Sequence, residues 1–305
     1  MRLLLPCLLL ALTGPVTWAQ LAPAGNLTTP PKAQTFYSRI RGVFDFDLPS
    51  IDPPGTVKLI FNPHIGDLLR RDYLRVDSGF RWAINDHCEI SPGAAIYFTH
   101  GLGDTKYGSG VGGWRLGSKY IIRQWPDANY ETSVFLNVEV PFGQAPVDMT
   151  DGLNHVAPGF LVQHHSTRYP KLTTFTGAGL DLVTDRSVAG TPVSNQPSDD
   201  SVNFNAGAIY DLGQIKWTLS TTFATTAGLG ETTRNYFYLR PGLIWFVPKR
   251  YTFSKTQWIV GLGARASWGP DGTELSFTSR VRAEITFRQV LDKILPRKPD
   301  AEVRR

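Results

Sequence analysis

Residues 274–287 read ELSFTSRVRAEITF and alternate apolar with polar side chains over almost their full length. Because successive side chains of a strand point to opposite faces, this stretch is predicted to be a strand with one apolar and one charged face. The apolar face holds Leu275, Phe277, Val281, Ala283, Ile285 and Phe287. A soluble β-sandwich would bury that face, whereas a membrane barrel would turn it toward lipid and keep the charges in its lumen.

Similar segments recur along the chain from residue 56 to residue 287. Alternation and turn residues predict strands at 56–64, 73–84, 88–99, 112–124, 130–140, 155–165, 171–183, 201–211, 214–224, 235–247, 256–267 and 274–287. After residue 20 no apolar run is long enough for a membrane-spanning helix, so only a barrel could place this chain in a bilayer. The predicted fold is all-β, a transmembrane antiparallel up-and-down β-barrel of about 12 strands.

The connections between these strands alternate in length. Residues 85–87, 125–129, 166–170, 212–213 and 248–255 form compact turns, whereas 100–111, 141–154, 184–200 and 225–234 form longer loops. Only residues 269–273 are short among the second set. Short periplasmic turns and longer outer loops are typical of outer-membrane barrels, and an even number of strands then places both termini in the periplasm.

The regions outside the barrel have their own signatures. Residues 1–19 have the charged start, the apolar core and the small residue before the cut that are typical of a secretory signal peptide. Its removal would leave Cys88 as the sole cysteine, which excludes an internal disulfide. Residues 20–55 are proline-rich and are assigned to a periplasmic leader, although the alternation in 36–47 also fits an extra strand or a segment inside the lumen. Residues 288–305 are assigned to a basic periplasmic tail.

Aromatic residues recur at the ends of the predicted strands. Trp258 and Trp268 share an apolar face and are ten residues apart. Ten tilted strand residues rise by roughly 25 Å, which matches the height of the apolar wall between two aromatic girdles. The predicted girdle comprises Trp82, Tyr120, Tyr210, Trp217, Trp245, Trp258, Trp268, Phe277 and Phe287.

Charged residues occupy the opposite faces of the same strands. The predicted lumen-lining cations are Arg75, Arg81, Arg115, Lys119, Arg123, Lys171, Lys216, Arg240, Arg265, Arg280 and Arg282. The predicted lumen-lining carboxylates are Asp77, Glu89, Glu131, Glu139, Asp181, Glu274 and Glu284. Two interpretations remain open: the excess of arginine lines a path for anions, or arginine–carboxylate pairs cross-link a lumen that does not conduct.

Net charge and motifs narrow the range of functions. The formal net charge is +5, but Arg2 and the basic tail supply most of it, which leaves a nearly neutral body and no basic face for nucleic acid. The histidines have no spacing that makes a metal site, and no cofactor is expected. His164, His165 and Ser166 are the best candidates for an enzyme, but neighbours on a strand face opposite ways, so we expect no enzyme.

The signal peptide, the amphipathic strands, turns such as residues 84–87 and the strand-end tryptophans together resemble Gram-negative outer-membrane β-barrels. Residues 74–84 followed by 89–98 are also similar to barrels of the phenol-degradation (MetA-pathway) family. That resemblance implies uptake of small hydrophobic or aromatic compounds. It also implies barrel-assembly machinery as a partner, although such barrels usually end on the last-strand aromatic and this chain continues for eighteen residues past Phe287.

These observations favour an outer-membrane barrel that serves as a passive channel or uptake protein for small solutes, either anionic or hydrophobic and aromatic. The partners expected are outer-membrane lipid and a small-molecule solute, and no nucleic acid. The main alternative is a non-conducting structural or interaction barrel that presents its outer loops. A weaker alternative is an enzyme similar to the outer-membrane phospholipases.

Overall fold

Residues 47–64, 73–99, 108–123, 127–143, 146, 149–184, 188, 190, 196–230, 232–252 and 257–286 are described by the structure, a computed structural model. The signal peptide, residues 20–46 of the leader, Phe287 and the tail lie outside these residues. The side chains of Arg123, Arg282 and Glu284 also lie outside the described part of the structure.

The described residues form twelve strands, each within two residues of its predicted bounds at either end. They are β1 (Val57–Pro63), β2 (Tyr73–Ala83), β3 (Cys88–Thr99), β4 (Gly110–Arg123), β5 (Tyr130–Pro141), β6 (Asn154–His165), β7 (Leu172–Thr184), β8 (Ser201–Asp211), β9 (Ile215–Thr225), β10 (Asn235–Phe246), β11 (Gln257–Gly269) and β12 (Gly272–Thr286). A single 3-10 turn at Lys249–Tyr251 precedes β11.

Each strand pairs antiparallel with its neighbours in sequence, and β1 pairs with β12 to close the barrel. The closing ladder runs from Lys58 opposite Thr286 to Phe61 opposite Ala283. Closure matters physically because it leaves no sheet edge with unpaired backbone groups. The predicted all-β, antiparallel up-and-down barrel of twelve strands is therefore confirmed.

The connections lie at two different ends of the barrel. The short-turn end carries residues 84–87, 124–129, 166–171, 212–214 and 247–256, and the long-loop end carries 64–72, 100–109, 142–153, 185–200, 226–234 and 270–271. The last of these is tighter than predicted, because β11 and β12 extend until only Pro270 and Asp271 separate them. Gly272 makes that turn with a φ of 96°, a conformation that favours glycine.

Apolar side chains cover the outside of the barrel. Leu275 and Phe277 of β12 are 63% and 68% exposed, and Trp114 of β4 is 57% exposed. Similar exposure recurs on every strand from β1 to β12, for example at Phe61, Phe80, Phe98, Val134, Phe160, Leu180, Phe204, Leu219, Phe237 and Leu262. An apolar surface that surrounds the whole molecule is far larger than a soluble protein exposes, and it matches a barrel wall in contact with lipid.

Among the described residues, no helix has the length and apolarity that crossing a bilayer would require.

Glycines inside the barrel make room for aromatic rings. A Cβ added to Gly207 of β8 would lie 2.4 Å from Cζ of Phe175 on β7, and one added to Gly159 of β6 would lie 2.5 Å from Cζ of Phe135 on β5. The edges of the two phenyl rings therefore lie close against the glycine backbone of the next strand. This arrangement fills the lumen beside the wall and directs Phe175 toward the interior cluster described below.

The lipid-facing assignment predicts the effect of a charge on the outer wall. Leu219 lies at the middle of β9 and is exposed. Leu219→Arg is expected to lower the free energy of unfolding by about 2–4 kcal/mol, the cost of a guanidinium at the bilayer midplane. Urea unfolding in lipid vesicles measures this cost. Leu212→Arg, in the exposed turn between β8 and β9, is the matched control and should be nearly neutral. Equal, small effects of both variants would contradict a lipid-facing wall.

Candidate functional site: the charged lumen

Polar and charged side chains point into the barrel. Their outward neighbours on the same strands are the exposed apolar residues, so the alternation of each strand separates the two sets. The buried inward-facing residues include Arg81, Glu89, Lys119, Glu131, Ser133, Gln163, Thr173, Ser201, Lys216, Thr218, Ser220 and Ser267. The interior is therefore polar along most of the wall, as in barrels whose lumen holds water.

A cavity of about 310 Å³ lies against the β1–β5 side of this interior. Its lining is polar and electrically balanced, with three cationic and three acidic side chains. The lining residues are Asp47, Ile60, Asn62, Asp77, Arg81, Glu89, Ser91, Arg115, Ser118, Lys119 and Asn137. This volume is at the lower end of the range found for small-molecule sites.

Asp77 is the centre of the charge network beside this cavity. Its carboxylate lies 3.1 Å from Arg75 Nε, 3.4 Å from Arg115 Nη1 and 3.8 Å from Arg280 Nη1. His64 Nε2 is 2.7 Å from the second carboxylate oxygen and also contacts Arg280. One carboxylate therefore serves as counter-ion to three guanidinium groups from β2, β4 and β12.

A further hydrogen bond extends the network, and burial sets the charge state of His64. Arg115 Nη2 donates a hydrogen bond to Glu139 Oε1 on β5 at 2.9 Å. Burial, opposed by the hydrogen bond to Asp77 and reinforced by the charge of Arg280, lowers the pKa of His64. The imidazole is accordingly neutral at neutral pH, and Asp77 carries the negative charge of the cluster.

Residues 47–52 occupy the lumen at the short-turn end, and we call them the lumen segment. Leu48 is fully buried against Phe175, Ile209, Ile244 and Ile259 of the opposite wall. These four side chains come from β7, β8, β10 and β11, so the segment reaches across the interior from β1, which it precedes. Its apolar anchor fills the space that the inward side chains of the wall leave open.

Polar contacts hold the other side of the lumen segment. Lys119 Nζ is 2.7 Å from Asp47 Oδ2 and also donates to the Leu48 carbonyl. Ser50 Oγ donates to Glu131 Oε2 at 3.2 Å. Asp52 is buried, and Lys58 of β1 pairs with its carboxylate. The backbone N–H of Asp52 donates a hydrogen bond to Glu89 Oε2 at 3.4 Å. These residues belong to the predicted leader, and here they lie within the barrel.

The loop between β5 and β6 folds into the long-loop end. Met149 is buried against Tyr73, Ala95 and Tyr97, and Arg75 Nη1 donates to its carbonyl at 3.3 Å. Because Arg75 also pairs with Asp77, this contact connects the loop to the Asp77 network. The loop therefore narrows the interior from the end opposite to the lumen segment.

A histidine clamp fixes the same loop to the wall. His155 of β6 binds Asp151 through Nε2 at 3.0 Å and Asp181 of β7 through Nδ1 at 3.0 Å. Burial acts to raise the pKa of Asp151, but hydrogen bonds from His155 and from the Leu153 N–H outweigh it and hold that pKa below its ordinary value. Asp151 is thus ionised at neutral pH and anchors the loop.

The β9–β11 side of the lumen has a different character. Tyr236 and Tyr238 of β10 are buried with Ala224 of β9. The guanidinium groups of Arg240 and Arg265 lie 5.0 Å and 4.6 Å from the centre of the Tyr238 ring. Cations at these distances are attracted by the ring face. Here arginine is held by tyrosine, whereas on the β1–β5 side it is held by carboxylates.

Several of the predicted lumen-lining residues lie together in distinct clusters. Arg75, Asp77, Arg115, Glu139 and Arg280 meet in one network, while Arg81, Glu89, Lys119 and Glu131 surround the lumen segment. Arg240 and Arg265 form the separate tyrosine cluster. Their role in lining a transport path stays a prediction.

The described members of the predicted girdle lie on the outer wall. Trp82, Tyr120, Tyr210, Trp217, Trp258, Trp268 and Phe277 are exposed, and Trp245 is half-buried. Trp114 at the long-loop end was not among them, although it alternates with Leu116 on an apolar face and stacks on Phe142 with ring centres 5.8 Å apart. Contact of these rings with lipid headgroups stays a prediction.

Several interior residues were missed because their sequence context is uninformative. Leu48 lies in a proline-rich stretch without alternation, and Met149 lies in a loop. Lys58 could have been found, since it shares the inward face of β1 with Ile60 and Asn62. His155 was also missed: it is opposite Val183 and diagonal to the predicted Asp181, so only the register between β6 and β7 brings the two side chains together.

The enzyme candidates are separated by the strand geometry. His164 faces outward and packs against Tyr130 with the rings tilted by 37° and their centres 4.6 Å apart, whereas His165 contacts Gln163 and Thr173 inside the barrel. Ser166 Oγ accepts the N–H of Tyr169 at 3.0 Å in the following turn. The contacts described for these three residues do not join a serine to a histidine, and no group of three metal-ligating side chains was found among the described residues.

The chain is similar in structure to several solved proteins. An outer membrane channel from Pseudomonas putida F1 is similar with a TM-score of 0.52 and 13% identity over 80% of this chain and 99% of that chain. The KdgM porin is similar at a TM-score of 0.40 with 9% identity over 76% of this chain and 97% of that one. The CymD monoaromatic hydrocarbon channel is similar at a TM-score of 0.40 with 9% identity, over 77% and 89% of the two chains.

No protein-family model matches the sequence, and no curated protein sequence matches it significantly. The predicted resemblance to outer-membrane β-barrels is confirmed at the level of the fold. The finer resemblance to the phenol-degradation family stays a prediction.

Proposed function

We propose that the protein is an outer-membrane channel through which small solutes pass passively, with both termini in the periplasm. The observation that carries this proposal is the polar cavity of about 310 Å³ inside a closed barrel whose outer wall is apolar. A barrel that served only as a membrane anchor could fill its interior with apolar side chains. Here the interior keeps charged groups around an empty volume, as an aqueous path requires.

The short-turn end lies on the periplasmic side in this proposal, because short turns are typical of that side in outer-membrane barrels. The lumen segment would then narrow the path on its periplasmic side, and the loop carrying Met149 would narrow it on the outer side. A solute would meet the Asp77 network between these two constrictions. Selection by size and charge would therefore occur in the middle of the barrel.

The non-conducting barrel is the second candidate, and one observation favours it. Leu48 is fully buried, and residues 47–52 contact both walls, so they lie across the interior at the short-turn end. If the lumen segment stays in the barrel permanently, solutes that enter the cavity cannot pass through to the short-turn end. The barrel would then serve to present its loops.

Planar-bilayer recordings on the purified, detergent-folded chain distinguish the two candidates. A channel is expected to give discrete current steps in KCl, and liposome swelling should report the entry of small sugars or organic acids. Barrel integrity is checked in parallel by heat-modifiable migration on gels. A folded barrel that gives no current steps and no swelling would refute the channel.

A further inference from the structure

Glycines at inward-facing positions of the wall help to form the cavity on the β1–β5 side. In the alternation of β2, Gly79 lies between Asp77 and Arg81, which both line the cavity. Gly117 of β4 likewise lies between two cationic residues of the lining. Because a glycine has no side chain, each of these positions leaves open the space that a side chain of the wall would otherwise fill. The volume of the cavity is therefore set by particular residues of the wall.

Two polar side chains flank Gly117. Ser91 of β3 is directly opposite Gly117 on one side, and Asn137 of β5 is directly opposite it on the other. A Cβ added to Gly117 would lie 2.4 Å from Ser91 Oγ and 3.0 Å from Asn137 Oδ1. The hydroxyl and the amide therefore lie over the glycine, and both line the cavity.

A buried amide lines the cavity from β1. Asn62 is only 6% exposed, and its Oδ1 has no hydrogen-bond partner among the described residues. A buried acceptor without a partner is costly, and a hydroxyl group of a bound solute could donate to it. This amide and the pair beside Gly117 come from different strands of the same lining, so they present polar groups to one volume.

The charges around the cavity are matched within its own lining. Asp77 lies 3.4 Å from Arg115, and Asp47 lies 2.7 Å from Lys119. The lining as a whole has three cationic and three acidic side chains. A charged solute would bring an unmatched charge into this balanced set, whereas a neutral solute could use the amides and the hydroxyl without disturbing the ion pairs.

We propose that this cavity binds a small neutral polyhydroxyl compound, for which a monosaccharide is the model. Each hydroxyl group both donates and accepts, so one solute can donate to Asn62 Oδ1 and also bond to Asn137 and Ser91. An aromatic hydrocarbon would meet a described lining in which Ile60 is the only apolar residue, and it would desolvate polar groups without replacing their hydrogen bonds. The role of the site in uptake rests on the proposed channel function, whereas the binding itself does not.

Calorimetric titration with glucose tests the site. The chain is folded in an amine-oxide detergent, because a detergent with a sugar headgroup could compete. Glucuronate is the matched anionic probe, and benzyl alcohol is the neutral aromatic probe. Glucose is expected to bind, and both other probes are expected to bind far more weakly.

Substitutions on two strands locate the binding. Asn62→Leu and Asn137→Leu should each weaken glucose binding by about fivefold or more, the value of one lost hydrogen bond. Asn235→Leu, at the exposed start of β10, makes the same change outside the cavity and should leave the affinity unchanged. If a leucine inside the lumen prevents folding, Ser91→Ala removes only a hydroxyl and should weaken binding in the same way.

Thermal unfolding separates binding from a structural role. Sugars stabilise proteins in general because they are excluded from the surface, so the variants are compared at one glucose concentration. Glucose should raise the unfolding temperature more in the parent chain and in Asn235→Leu than in Asn62→Leu and Asn137→Leu. Heat-modifiable migration on gels checks that each variant is a folded barrel.

Several results would overturn the proposal. They are an equal rise of the unfolding temperature in all variants, unchanged affinity in both lumen variants, and tighter binding of glucuronate or benzyl alcohol than of glucose. Binding without bilayer currents would leave the site standing and remove the channel, whereas currents without binding would do the reverse.

Discussion

Replacing Leu48 with asparagine is expected to raise the conductance of the barrel several-fold while the barrel itself stays folded. Leu48 is the apolar anchor of the lumen segment and is fully buried against Phe175, Ile209, Ile244 and Ile259. Burying a leucine side chain contributes about 1.5–3 kcal/mol, and all of it is lost in this variant. The new amide also enters an apolar cluster without a partner, which costs about 1–3 kcal/mol more.

The barrel should tolerate this change because its ladder does not depend on Leu48. All twelve strands pair through their own backbones, and the lumen segment precedes β1. The lost burial energy and the cost of the buried amide therefore shift the lumen segment from its bound state toward a released state, while the barrel stays folded. A loss of this size favours release by more than tenfold, since each 1.4 kcal/mol is a factor of ten. Asparagine is chosen over aspartate because Lys119 and Lys216 are both buried inside the barrel, where they could pair with a new carboxylate.

Single-channel recording measures the effect, and Leu48→Met is the control. Methionine conserves apolar volume and should keep the parent conductance. The double variant Leu48→Asn with Ile51→Asn removes the second buried apolar residue of the segment and should open the path further. If both asparagine variants fold and conduct no better than the parent, the lumen segment is not the constriction.

The alternation in residues 274–287 could be interpreted correctly because it depends on one strand and its two faces. It predicted that Leu275 and Phe277 face outward, and both are exposed in β12. Turn composition and the period of the alternation also predicted strand bounds that agree with those of the structure within two residues. These properties are local, so one segment of sequence carries the whole signal.

Contacts within the lumen could not be predicted in the same way. Asp77 meets Arg280 only because the barrel closes and brings the last strand beside the first. The opposition of Arg240 and Arg265 depends on the register of β10 and β11, and a shift of one residue would abolish it. The position of Leu48 is set by an apolar cluster from four strands that are distant in sequence. The proline-rich sequence around Leu48 has no periodicity that would predict this contact.

Asp77→Asn is expected to have the largest effect of any conservative substitution in the network. Asparagine keeps the shape of the side chain and removes its charge. The guanidinium groups of Arg75, Arg115 and Arg280 then lose their common counter-ion, although Arg115 retains Glu139 at 2.9 Å. Removing one partner of a buried ion pair costs about 3–5 kcal/mol, and the lower end applies because water reaches part of Asp77.

The same change should alter selectivity. The lumen gains one net positive charge at its middle, so the reversal potential in a KCl gradient should shift toward that of chloride. Urea unfolding in vesicles and bilayer recordings give the two readouts. Asp127→Asn, in the exposed turn between β4 and β5, makes the same charge change outside the lumen and should affect neither.

A second substitution tests whether uncompensated charge is the cause. Adding Arg280→Gln to Asp77→Asn removes one of the cations that has lost the Asp77 carboxylate. The double variant should therefore recover part of the lost stability and part of the original selectivity. The two positions would then show a favourable coupling energy, as expected for groups that interact directly. Purely additive losses, or an Asp77→Asn chain as stable and as selective as the parent, would mean that the carboxylate does not hold the three arginines together.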